Sequence, residues 1–242
     1  MNRFFYLAME YTNGNLYRGD IFEIALLSER TGYIFHAYIK IPYQLPLFIS
    51  RLCHITDKKL EMMNLPFSEV IDDLIAFIEQ EEEESGPPII ITHGGTHMPL
   101  LIANCMKNNY DYSRLENYVF VDSIKILQDK GGFEKTGLDW FATSKRAHSA
   151  IQDVKILQRV VNKFIVKDIL TQRHASLGDI LQYLDAKLPI TIQELLYSLE
   201  EAPTLIHLER ELYKYASEKT ALNRKQIYEI ALYYFNIKKE LQ

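Results

Sequence analysis

Three short stretches of this chain hold residue types able to bind divalent ions and to move protons. The run LAMEYT carries Glu10, the turn THGGTHM carries His93 and His97, and the segment HSAIQD carries His148 and Asp153. Hydrolysis assisted by two divalent ions, roughly 3.5–4 Å apart, needs several carboxylates from separate elements to converge. The ions can then hold both the attacking water and the leaving oxygen. An acid near the N-terminus and a His/Asp pair some 140 residues later fit that demand only if the fold brings them together. A pair of this kind on one helix also occurs by chance as a surface pair.

The scaffold can be read from periodicity. Residues 3–12, 21–27 and 33–41 are apolar runs with aromatic side chains, the last two separated by the polar turn SERTG. They predict three successive strands, antiparallel neighbours, with Ala8 and Glu10 on one face of the first. Val70, Ile71, Leu74, Ile75 and Ile78 predict a helix capped at Ser68. Glu79 and the acids at 81–84, followed by Ser85, Gly86 and two prolines, read as a solvated loop. IIIT at 89–92 predicts a buried strand that breaks at His93-Gly94-Gly95, with Pro99 in the first turn of the helix after it. NYVFVDSIKIL at 117–127 repeats strand then helix, with Asp122 at the strand end. Residues 146–166 predict a long amphipathic helix through Ala150, Val154, Leu157, Val160, Val161 and Phe164. The order βββαβαβα implies an α/β fold, a mixed sheet covered by helices. From about residue 170 the pattern is helical throughout, with Asn223 as a cap for the last helix.

Composition sets the outer bounds. A chain of 242 residues, 48% hydrophobic and 24% charged, holds one large domain with an appendage, and no stretch has the roughly 20 apolar residues of a membrane span. The N-terminal MNRFFYLAMEYT reads as a first strand and not as a signal peptide. Two cysteines, Cys53 and Cys105, without a CxxC pattern, fit a reducing compartment and argue against structural zinc. An intracellular location, cytoplasmic or nuclear, is the expectation. A net charge of −5 disfavours binding of a polyanion by the molecule as a whole, so nucleic acid must be argued from a local site.

Five ordered segments resemble one family. The late HSAIQD matches His-x-Ala-x-x-Asp, and LPLFISRLCHITDKKL resembles Ile-x-x-Leu-x-Gly-Ile-Thr-x-x-x-Leu, with His54 where Gly is usual. THGG with MPLL, then VFVDSIKIL, and LAMEYT near the start complete the set. Over roughly residues 3–166 the chain resembles the DEDDh (DnaQ-like) 3′–5′ exonucleases of the RNase H-like superfamily, and most of all their TREX-like branch. The resemblance implies an RNase H-like mixed sheet of three antiparallel strands and then parallel strands, flanked by helices. It divides the chain into an exonuclease-like domain at 1–168 and an all-helical extension at 169–242. It makes His148 the general base, and Glu10 and Asp153 metal ligands.

Two of the family's four acids are missing. Ala8 stands where the first Asp bridges both ions, and His97 stands where the second Asp belongs, or Met98 if the turn is not shortened. The methyl group of Ala8 removes a ligand from both ion sites. The remaining residues imply no cofactor, or one weakly held Mg²⁺ or Mn²⁺ on Glu10 and Asp153; His97 as a ligand would favour Mn²⁺ or Zn²⁺. An Asp-to-Ala change made to trap a substrate would look the same at Ala8, but His at position 97 is an unusual choice for disarming a site. His93 reads as turn packing or a substrate contact. Lys145 and Arg146 read as phosphate contacts or a solvated loop, and Tyr110, Tyr112 and Tyr118 as base-stacking groups or ordinary packing.

These readings leave three functions open. One is a degenerate exonuclease-like scaffold that binds nucleic acid, at a single-stranded 3′ end, or protein. Another is an active 3′–5′ exonuclease with a rearranged metal site, and the third is a protein-interaction module acting through its C-terminal helices on a partner or a second copy. None of them involves a membrane.

Overall fold

The computed structural model describes residues 3–13, 16, 19–56, 58–59, 61, 64–80, 86–131, 136–141 and 148–187. Lys145, Arg146 and the helices expected beyond residue 187, with the cap at Asn223, lie outside them. By compactness the chain forms two units, Met1–Leu181 and Gln182–Gln242.

The first unit is built on a six-stranded sheet in the order β4-β3-β2-β1-β5-β6. Strand β1 (Arg3–Tyr11) runs antiparallel to β2 (Ile21–Ser28), and β2 antiparallel to β3 (Ile34–Ile39). On the other side β1 pairs in parallel with β5 (Pro88–Thr92), and β5 with β6 (Val119–Asp122). A two-residue strand not foreseen from the sequence, β4 (Asn64–Leu65), adds to the outer edge of β3. It is too short to carry a periodic signal. The mixed sheet, antiparallel first and parallel after, is the RNase H-like arrangement.

The sequences of β1 and β2 are near-continuous apolar runs instead of alternating ones, as expected of strands buried on both faces. All eight residues of β2 are buried, the acid Glu23 among them. One face is covered by α6 (Ala150–Phe164), which packs on β1 and β2. Its Ala150, Val154, Leu157, Val160 and Val161 share a core with Tyr6, Ala8, Ala25, Leu27, Ile91 and Val121. The other helices of the first half are α1 (Leu47–Leu52), α2 (Phe67–Glu79), which packs on β3, and α3 (His97–Lys107). The cap of α2 is Pro66 and not Ser68, with no side-chain bond to the helix. Proline is tolerated at a helix start because the first amides have no internal partner.

Helix α4 (Ser123–Lys130) begins at Asp122, whose Oδ1 accepts from the Ile124 amide at 3.0 Å and from the Gly94 amide at 2.9 Å. One carboxylate thus caps α4 and ties down the turn after β5. The short α5 (Leu138–Phe141) precedes α6, and α7 (Lys167–Gln172) and α8 (Leu177–Lys187) come after it. Ala175 pairs with Phe120 on β6. Among the described residues no helix is long and apolar enough to cross a membrane.

Candidate functional site

The C-terminal end of β1 brings the sequence-selected acids together. Glu10 and Asp153 are hydrogen-bonded carboxyl groups, although 143 positions separate them in the chain. Burial, and after it the negative charge of Asp153, push the Glu10 carboxyl up to about 8. The Cys53 thiol opposes that rise by donating to Glu10 Oε2 at 3.3 Å, and is itself pushed up by burial and by the Glu10 charge. Cys53 is the C-cap of α1, so this contact ties α1 to the strand end.

A third acid was not singled out from the sequence. Glu23 is the cross-strand partner of Glu10, in the same register that sets Ala25 opposite Ala8. It is fully buried. His36 Nε2 donates to its Oε1 at 2.8 Å, and Ser149 Oγ donates to the same oxygen at 3.2 Å. Its charge also acts on Glu10 and on Cys53. An acid inside an otherwise apolar strand, IFEIALLS, is the signal that could have found it.

Ala8 has a different fate. It is 4% exposed and belongs to the core beneath α6, with Ala25, Ala150 and Val154. The position to which the resemblance assigns a bridging carboxylate is therefore hydrophobic packing. His97 opens α3, with its ring edge-on to Tyr11 at 6.1 Å between centroids and its Nδ1 shut off from solvent. Burial holds its imidazole below the ordinary range, and its electrostatic neighbours are His93 and Asp122. The structure thus groups His97 with the turn after β5, and Glu10 with Asp153 and Glu23. His93 is buried, with Nδ1 at 2.8 Å from Ser123 Oγ and Nε2 on the Thr136 carbonyl. Burial lowers its pKa as well.

His148 precedes the helix instead of starting it, with φ at +82°, a region that non-glycine residues occupy at a cost of roughly 1–3 kcal/mol. Ser149 is the N-cap of α6. Its carbonyl accepts from the amides of Gln152 and Asp153 at 2.8 and 2.9 Å. Two of the tyrosines are packing groups: Tyr118 is buried, and Tyr110 lies edge-on to Phe67 with its hydroxyl donating to Asp72 at 2.7 Å.

The acids of this set are Glu10, Asp153 and Glu23. Ala8, where the resemblance places the bridging acid, is apolar, and Oε1 of Glu23 is engaged by His36 and Ser149 while its Oε2 is buried without a hydrogen-bond partner. Among the described residues no three His, Cys, Asp or Glu side chains form a group able to hold a metal ion.

Comparison with known proteins agrees with the fold. No protein-family model matches the chain, and no curated protein matches it. Solved structures do. The nuclease domain of 3'hExo, a DEDDh family member, bound to rAMP, is similar with a TM-score of 0.59 and 20% identity, over 72% of this chain and 96% of that one. A structure of 3'-end specific recognition of histone mRNA stem-loop by 3'-exonuclease is similar at TM-score 0.58 and 19% identity, over 68% and 81%. A full-length 3'-exonuclease is similar at TM-score 0.56 and 20% identity, over 68% and 60%.

Proposed function

Given the fold of a DEDDh 3′-exonuclease, we propose that this protein is a catalytically degenerate, exonuclease-like scaffold that holds a nucleic-acid 3′ end without efficient hydrolysis. The observation that carries the reading is Ala8. Efficient two-ion catalysis needs carboxylates placed to hold both ions. Here the bridging position is a methyl group that shares the core with Ala25 and Ala150.

Binding is the part that the remaining residues still support. Glu10, Asp153, Cys53 and Glu23 gather where β1, β2, α1 and α6 meet. Helix α1, whose cap touches Glu10, exposes Leu47 and Phe48, and an exposed aromatic ring is the kind of surface on which bases stack. Two of the similar solved structures, one bound to rAMP and one of histone mRNA stem-loop recognition, support a nucleic-acid ligand here. A second reading, an active exonuclease with an altered metal site, draws support from the direct pairing of Glu10 with Asp153.

One experiment separates the two. A 5′-labelled single-stranded oligonucleotide is incubated with the protein in Mg²⁺ and in Mn²⁺, and binding is followed in parallel by anisotropy in EDTA. Binding without shortening of the label is the expected result. Stepwise release of nucleotides, abolished by His148→Ala, would overturn the scaffold reading in favour of the active enzyme. Failure to bind any oligonucleotide would remove both.

A further inference from the structure

We propose that Glu23 is the positioning residue of this site: held by His36, it seats Ser149 and so fixes where His148 and Asp153 stand over β1. The proposal rests on the nucleic-acid reading for its ligand and on four observations for its geometry.

Glu23 lies on β2, bonded on both sides within the sheet, opposite Glu10 on one neighbour and Tyr38 on the other. An anchor in such a strand cannot drift as one on a loop can. It is also fully buried, and an acid removed from water must find strong donors or lose several kcal/mol. It finds two, His36 from β3 and Ser149 from the start of α6, both on Oε1, while Oε2 is buried without a partner. The anchor therefore stitches three elements at one oxygen.

Ser149 does not use its hydroxyl as a helix N-cap usually does. A serine at that position commonly accepts from an amide of the first turn, which stabilises the helix by roughly 1 kcal/mol. Here no side-chain cap bond forms, and the hydroxyl donates to Glu23 at 3.2 Å. Holding α6 on the sheet does not require this, because Ala150, Val154 and Leu157 already bury it. The bond sets the position of the first turn, where Asp153 lies, and of the residue before it. That residue is His148, whose left-handed backbone persists only when its surroundings hold it there. Strained His148 and anchored Ser149 are adjacent, and the anchor stands next to Glu10.

The test compares Glu23→Ala, Glu23→Gln and Ser149→Ala with the unaltered chain. One readout is anisotropy with a single-stranded oligonucleotide in EDTA, and the other is the side-chain spectrum of ¹⁵N-labelled histidine. Glu23→Ala and Ser149→Ala should each weaken binding about tenfold, on the order of the 1.4 kcal/mol that one such hydrogen bond is worth, and move the His148 resonances. Glu23→Gln, which keeps an acceptor for Ser149, should restore both to within about threefold. Wild-type affinity and unmoved His148 signals in Ser149→Ala would overturn the proposal, and so would a Glu23→Gln variant no better than Glu23→Ala. If Glu23→Ala does not fold, Ser149→Ala decides alone. If the unaltered chain binds no oligonucleotide, the nucleic-acid reading fails and the positioning role is judged on the His148 resonances.

Discussion

Glu10 shows how far a fold can move one group from its behaviour in water. Its carboxyl is raised to about 8, by burial first and by the charge of Asp153 second. The unfolded chain releases that proton near the ordinary value of 4.5, so between these two points the folded state holds a proton that the unfolded state has lost. Stability from this group is complete below about 4.5 and declines as pH rises through 8. In EDTA, the melting temperature of the unaltered chain should fall from about pH 5 to just above pH 8, and Glu10→Gln should flatten that fall. A slope unchanged by the substitution would mean that Glu10 ionises freely in the fold. Glu10 and Asp153 were both legible in the sequence because short motifs mark them. The role of Glu23 was not, because it comes from a cross-strand partner 13 positions away and a donor on α6, and no spacing rule records either.

At the scale of elements, the contact of β1 with α6 decides what the site can become. Position 8 shares its core with Ala25, Ala150 and Val154, so the space around it is lined by small and apolar groups. Placing an acid there is not a simple gain of a metal ligand. Ala8→Asp places a carboxylate in apolar packing, and should destabilise the fold by on the order of 3 kcal/mol in urea titrations run in EDTA. A cation binding only the folded state would recover part of that loss. A variant as stable as the unaltered chain without metal would show that the site opens to water more than its burial implies. The elements were legible where their periodicity is strong: β1, β2, β5 and α6 lie within a few residues of the spans read from sequence. The start of α6 at Ala150, after a left-handed His148, was not, since HSAIQD reads as continuous helix.

At the scale of the whole molecule, the unit Met1–Leu181 is completed by residues C-terminal to α6. Leu170 on α7 is fully buried, in one core with Leu157, Val160 and Val161 of α6, and Leu177 and Ile180 on α8 are also buried. Between these helices the backbone of Ala175 pairs with Phe120 at 2.8 and 2.9 Å. A chain ending at residue 168 loses all of these contacts, whereas one ending at 181 keeps them. The longer fragment should melt cooperatively at a temperature several degrees above the shorter one, as read by circular dichroism. Equal melting of the two would show that α7 and the Ala175 pairing add nothing to the fold.

The sequence by itself determined the order of the main strands and helices and the buried character of β1 and β2, and it singled out Glu10, His148 and Asp153 as the candidate site residues. It could do so because periodicity and short motifs are local properties. Only the tertiary structure decided that Ala8 is core, that His97 sits with His93 and Asp122, and that Glu23 stands between His36 and Ser149 beside Glu10. Each of those facts depends on strand register and helix placement, which bring together residues far apart in the chain and leave no trace in their spacing.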